Sequence, residues 1–177
     1  MRHVISILVQ NKFGVLARIS GLISARGFNI DSLTVGETEE PKTSRMIIVV
    51  HGDDPVIEQI IKQLRRLIET IRVTDLAEGR FVERDLMLAK IEATPAKRLE
   101  ILQIANVFGA KIVDMTAREI ILELSGEVGR IDALIGILKP YGIKELARTG
   151  SVALSRGPIA PASSAAPGSA PAGVNTL

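Results

Sequence analysis

NKFGVLARISGLISARGFNIDSL, running from Asn11 to Leu33, is the stretch on which the reading of the fold turns. An apolar run, Val4 to Val9, leads into it, and a short polar turn closes at Gly14. Val15, Leu16, Ile19, Leu22 and Ile23 then recur at helical spacing, which predicts a helix from Val15 to Arg26 with one apolar stripe. Gly27 stops that helix where a left-handed residue is wanted. Phe28, Ile30, Leu33 and Val35 resume an extended pattern, so the order is strand, tight turn, helix, strand. Amides at a helix N-terminus with no side chain over them are a seat for a small anion such as a carboxylate. An ordinary strand-to-helix turn, in which Gly14 only relieves backbone strain, accounts for the same residues.

Outward from there, the first strand is His3 to Gln10 and the next Phe28 to Gly36. A polar hairpin loop, Glu37 to Ser44, leads to the continuous apolar run Met46 to Val50. Asp54 reads as an N-cap with Pro55 at the first helical position. Ile57, Ile60, Ile61, Leu64, Leu67 and Ile68 make that helix's buried stripe, and a strand from Thr70 to Leu76 follows. This is βαββαβ. Right-handed crossovers then favour an antiparallel sheet in the order 4-1-3-2, both helices on one face. Glu78-Gly79-Arg80 marks a boundary, after which the order recurs. Arg84 to Ala93 is a strand, and Thr94-Pro95 opens a helix to Phe108. Strands at Lys111 to Thr116 and Glu119 to Leu124 follow. A helix after Gly126 sets Val128, Ile131, Leu134, Ile135 and Leu138 on one side before Pro140, and a final strand runs from Ile143 to Leu154. The expected fold is α+β, with two tandem ferredoxin-like modules over residues 1–78 and 79–156. The duplication lies in element order rather than residue identity. From Gly157 to Leu177 the chain turns to Pro, Ala, Ser and Gly without charge, a tail expected to be disordered.

The first module's helices cover one sheet face, yet its strands are apolar on both. Ile5, Ile7 and Val9 point one way, Val4 and Leu8 the other, and Met46 to Val50 is apolar throughout. The second strand, an edge, has no proline or inward charge to blunt it. An open edge and a bare apolar face call for cover. Homodimerisation through the second strand covers the edge, and another subunit or module covers the face.

Composition narrows the function. The chain of 177 residues is 46% hydrophobic but only 3% aromatic, with no Trp, so its cores are aliphatic. The pI is near 9.1, but the net charge is only +2 and no Lys/Arg block occurs, so neither nucleic acid nor an anionic membrane is implied. With no cysteine, thiol catalysis, disulfides and Cys-ligated zinc are excluded. Nothing resembles a signal peptide and no apolar run approaches membrane-spanning length, so a soluble, cytoplasmic protein is expected. Catalysis is poorly provided for. His3 and His51 sit at strand ends, and capping accounts for Asp54 of the pair Asp53-Asp54. Ser20 and Ser24 have no nearby histidine, and Arg65-Arg66 reads as a solvated helix face. No nucleophile elbow, phosphate loop or metal-ligand cluster is present. The RNA-recognition module shares the βαββαβ order but stacks bases on aromatics in its central strands. Here those strands read VISILV and RMIIVV, without an aromatic.

Taken together, N-x-x-G at Asn11 to Gly14, V-L-A-R at Val15 to Arg18 and R-G-F-N-I-D-S-L at Arg26 to Leu33 resemble an ACT domain, a βαββαβ module that senses amino acids. SLTVGETEEPKTSRMIIVV from Ser32, VERDLMLAKI from Val82 and RTGSVALSRG from Arg148 narrow the resemblance to the regulatory small subunits of acetolactate synthase, also called acetohydroxyacid synthase. It covers residues 1 to about 157. Many ACT domains have Pro-Gly where this chain has Phe13-Gly14, a departure that fits the small-subunit variety. The resemblance implies a homodimer through its ACT domains, with no chemistry of its own and no cofactor. It also implies a large catalytic subunit that carries thiamine diphosphate, Mg2+ and FAD and condenses pyruvate with a second 2-oxo acid. The small subunit raises that activity and confers feedback inhibition by a branched-chain amino acid, usually valine. The effector is expected between Asn11, Gly14, Val15 and Leu16 of one protomer and Asn29 and Ile30 of the other. Amides after Gly14 suit its carboxylate, Asn11 and Asn29 its ammonium, and the aliphatic side chains its tail. A free-standing amino-acid sensor controlling another enzyme or regulator is the alternative.

Overall fold

The computed structural model describes residues 1–25, 27 and 29–157. The expected helix end at Arg26, the strand start at Phe28 and the tail beyond Gly157 lie outside the described residues. The first unit is β1 (Arg2–Gln10), α1 (Val15–Ser24), β2 (Ile30–Glu37), β3 (Thr43–His51), α2 (Asp54–Leu64) and β4 (Thr70–Asp75). Its sheet has the order β2-β3-β1-β4, the expected order read from the other edge. Both helices lie on one face. Ile19 and Ile23 of α1 and Ile57, Ile60 and Leu64 of α2 close over Ile5, Ile7, Ile48 and Val50.

A 3-10 turn at Leu76–Glu78 carries the chain to β5 (Phe81–Glu92), α3 (Pro95–Val107), β6 (Lys111–Met115), β7 (Glu119–Gly126), α4 (Val128–Leu138), β8 (Ile143–Arg148) and β9 (Val152–Ser155). The second sheet has the order β6-β7-β5-β8, with β9 on β5 away from that path. Ile101 and Ala105 of α3 and Ile131, Leu134 and Leu138 of α4 fill its core against Met87, Ala89, Ile91, Ile120 and Leu122. The chain is therefore α+β, two ferredoxin-like units in tandem.

Three expectations need correction. The N-cap of α2 is Asp53, not Asp54, and no side chain caps it. Pro55 brings no N–H to the first turn, and the Asp53 carbonyl accepts from Val56 and Ile57 at 3.0 and 3.1 Å. That helix ends at Leu64, so Ile68, expected on its buried stripe, is 89% exposed. The final strand is broken. Gly150, with φ +82°, separates β8 from β9. β5 is long enough to pair with β9 through Phe81–Arg84 and with β8 through Met87–Ile91.

The break has a consequence for packing. It lets β9 leave the second sheet's path and set Ala153 under the first sheet's outer face. Val4, Ile47 and Val49, the apolar residues pointing away from the helices, are buried there with Leu76 and Ala153, and Phe81 packs beside them. Fully burying a Val or Ile contributes about 1.5–3 kcal/mol, enough for these residues to hold the two units together. The face is thus covered from within the chain, while β2 remains one of the first sheet's two edges, β4 being the other.

Candidate functional site

Gly14 is the N-cap of α1, with φ +82° and ψ −7° and no side-chain capping bond. A capping side chain works from an extended backbone, so a left-handed N-cap leaves the first turn bare. The Val15 amide leans back toward the Lys12 carbonyl at 3.4 Å. Among the described residues, the amides of Leu16 and Ala17 donate to no backbone carbonyl. Apart from Gly14 itself and its neighbours Phe13 and Val15, no atom lies within 4 Å of the position a Gly14 Cβ would take. The turn thus presents open space in front of free N–H groups at the positive end of a helix, the arrangement that suits a carboxylate.

Asn11 is fixed beside that space. Its amide nitrogen donates to Glu37 Oε1 at 2.9 Å and to the Pro41 carbonyl at 3.2 Å, while its backbone N–H donates to Lys42 at 2.7 Å. With both Nδ2 bonds spent on acceptors, Oδ1 is left for a donor such as an ammonium. Glu37 adds a carboxylate that the sequence reading missed by placing it in the hairpin loop. Sheet order could have found it, because β1 and β2 both run antiparallel to β3 and their ends therefore meet. On the far side of the turn Arg18 donates to Glu69 at 2.5 Å. A bond from its own backbone amide, working against partial burial, and then the Arg18 charge hold the Glu69 carboxyl below its usual range.

The aliphatic residues divide. Val15 is 5% exposed and belongs to the core, so the turn has only its backbone to use. Leu16 and Phe13 stand out from the surface. Asn29 is exposed, and Ile30 is half-buried against the core. Asn29 and Ile30 are not brought to the turn within one chain. Ile30 is level with Val50 and Gln10 with Thr43, at opposite ends of β3.

The remaining candidates have structural partners. His3, buried, has Nδ1 2.7 Å from Asp75 Oδ2 and Nε2 3.3 Å from Asp54 Oδ1. His51 Nδ1 is 2.5 Å from Asp31 Oδ2. The Ser20 hydroxyl donates to the Ala17 carbonyl at 3.2 Å. Among the described residues no group of His, Asp and Glu could hold a metal ion, and no helix is long and apolar enough to cross a membrane. The faces of β1 and β3 that an RNA-binding sheet would display are buried on both sides.

Comparison with known proteins adds a separate line of support. A family described as the small-subunit-like ACT domain of AHAS matches residues 5–72, and one described as the small subunit of acetolactate synthase matches residues 84–157. A protein of Archaeoglobus fulgidus described as a probable acetolactate synthase small subunit is 54% identical over 157 residues, covering 89% of this chain and 98% of its own length. The acetolactate synthase small subunit of Aquifex aeolicus is 50% identical, covering 88% of this chain and 81% of its own. The crystal structure of the small subunit from Thermotoga maritima superposes with a TM-score of 0.81 at 41% identity, covering 90% of this chain and 99% of that one.

Proposed function

The chain belongs to the family of acetolactate synthase small subunits, and from that premise we propose that it regulates a catalytic large subunit by binding a branched-chain amino acid between two of its own copies. The observation that carries this is the direction of β2. Within one chain the turn and Asn29–Ile30 are separated by the stretch of β3 from Thr43 to Val50, roughly 24 Å at strand rise, so one copy cannot close a small ligand between them. The β2 edge is open, and a two-fold axis between Leu33 and Thr34 would pair it with its own copy, antiparallel. Ile30 of the second protomer then lies opposite Glu37, which Asn11 already holds at 2.9 Å. Each two-fold pair so formed has two equivalent sites, each built from both chains.

In that site the amides after Gly14 take the effector carboxylate. Asn11 Oδ1, the Glu37 carboxylate and Asn29 of the second protomer surround the ammonium. Leu16, exposed, and Ile30, half-buried, offer aliphatic surface for the tail, with valine the first ligand to try. This chain supplies no catalytic group. Thiamine diphosphate, Mg2+ and FAD belong to the large subunit, which condenses pyruvate and which this chain activates and restrains.

Mixing two defective chains tests the shared site. Gly14→Asp spoils the turn and Asn29→Ala the opposite wall, so each homodimer should lose valine binding. A heterodimer keeps one site with both halves intact. After unfolding and refolding together at equal amounts, about a quarter of all sites should bind again if assembly is random. Calorimetry that finds no recovery in the mixture would refute a site built across two chains.

A further inference from the structure

The turn Thr149–Ser151, which breaks the last strand, is gripped from two sides. On the side of the second unit, Arg148 Nε donates to Asp85 Oδ2 at 2.7 Å and Thr149 Oγ1 donates to Asp85 Oδ1 at 3.1 Å. The Leu86 N–H donates to Thr149 Oγ1, also at 3.1 Å. Asp85 is 2% exposed, and a buried carboxylate bonded in this way fixes the turn rigidly to β5. On the other side the turn sits on β2. The Ser151 N–H donates to Ser32 Oγ at 2.9 Å, and Thr34 Oγ1 donates to the Thr149 carbonyl at 3.2 Å. Between those bonds Gly150 lies against the strand. A Cβ there would overlap Ser32 Oγ and come within 3.0 Å of Thr34 Oγ1, and the φ of +82° disfavours a side chain independently.

β2 is also the strand that opens at Ile30, directly after Asn29. Its register against β3 shifts between Ile30 and Ser32, leaving Asp31 outside the ladder and bonded to His51. A strand changes twist and pairing most readily at such a bulge. Ser32, the first residue beyond it, is the one that Gly150 and Ser151 touch. We propose that the Thr149–Ser151 turn is the contact through which effector occupancy at the start of β2 reaches the second unit. Occupancy that favours one arrangement of the bulge moves Ser32 against a turn with no slack, and the Asp85 anchor passes the displacement to β5. Such coupling needs only that the effector bind one arrangement better than the other. The inference rests on the reading of Asn29 and Ile30 as effector residues.

The test uses the full chain reconstituted with its catalytic subunit, and valine as the probe. Ser32→Ala with Thr34→Val removes both side-chain partners and leaves the Gly150 backbone untouched. Gly150→Ala pushes the turn off the strand. The calorimetric Kd for valine should stay within about threefold in both variants, while the midpoint of inhibition rises about tenfold or more, or inhibition becomes partial. In the unaltered chain valine should slow hydrogen exchange at residues 149–151, and this protection should vanish in the variants. If Gly150→Ala fails to fold, the double variant decides alone. Inhibition that stays normal, or that weakens only in proportion to binding, overturns the coupling. Failure of the unaltered chain to bind valine, leucine or isoleucine overturns the effector reading itself, and the coupling with it.

Discussion

Replacing Gly14 by aspartate tests whether the bare amides of α1 hold a carboxylate. Beyond its chain neighbours the Cβ meets no atom within 4 Å, so the change adds charge without a clash. The backbone at φ +82° is left-handed, where a non-glycine residue costs about 1–2 kcal/mol and Asn or Asp less. Gly14→Asn carries that same strain without the charge and is the control. If the effector carboxylate lies about 4 Å from the new one, repulsion is about 4 kcal/mol at an effective dielectric of about 20, falling to about 1 kcal/mol in bulk water. The turn is exposed, so the value lies between these limits, and about 1.4 kcal/mol is already tenfold in affinity. Valine binding by calorimetry should therefore weaken by about fivefold to a thousandfold in Gly14→Asp, and far less in Gly14→Asn. A folded Gly14→Asp chain with unchanged valine affinity would refute the assignment of the turn.

Three other outcomes follow from the packing. Ala153→Asp sets an unpaired carboxylate among Val4, Ile47 and Val49, and should lower stability by roughly 2–4 kcal/mol in chemical denaturation; an unchanged midpoint would mean that β9 does not seal that face. Glu83 is the second: burial pushes its carboxyl up, but bonds from Arg2 and from the Ser151 hydroxyl outweigh that and leave it below the usual range. Because its folded value lies below the unfolded one, its stabilisation is present above about pH 4.3 and is lost as pH falls through the folded value. The stability gap between the unaltered chain and Glu83→Gln should therefore close in acid, and a gap independent of pH would count against the pair. Finally, light scattering at micromolar concentration should give a dimer or larger mass, since the β2 edge is otherwise uncovered; a monomer with valine present would contradict a shared site.

The fold was legible because its signals are local and repeated. Ile57, Ile60 and Leu64 keep helical spacing, Met46 to Val50 does not, and crossover handedness leaves one sensible sheet order. Periodicity carries the helix stripe on to Ile68 because it does not by itself show where a helix stops. Asp54 reads as the cap because Pro55 is put at the first helical position, whereas the helix already starts at Asp54 and the Asp53 carbonyl accepts its first bonds. The break at Gly150 is hidden in the sequence for a different reason. Ile143 to Leu154 has strand-like residues on both sides, and one glycine within such a run is an ambiguous mark. What requires glycine there is contact with Ser32 and Thr34, residues more than a hundred positions earlier.

That contact also limits how a second copy can approach. Had β9 continued β8, the outer face of the first sheet would have been left open, and stacking of two sheets face to face would compete with pairing of their edges. With Val4, Ile47 and Val49 buried under the chain's own β9, what the first sheet leaves for pairing among the described residues is its edges, β2 on one side and β4 on the other. Strand pairing has a fixed direction and a side-chain period of two, so an edge specifies register far more tightly than an apolar face does. A site that needs Asn29 of one copy beside Asn11 of another depends on that precision. The intramolecular cover is therefore part of the site's construction.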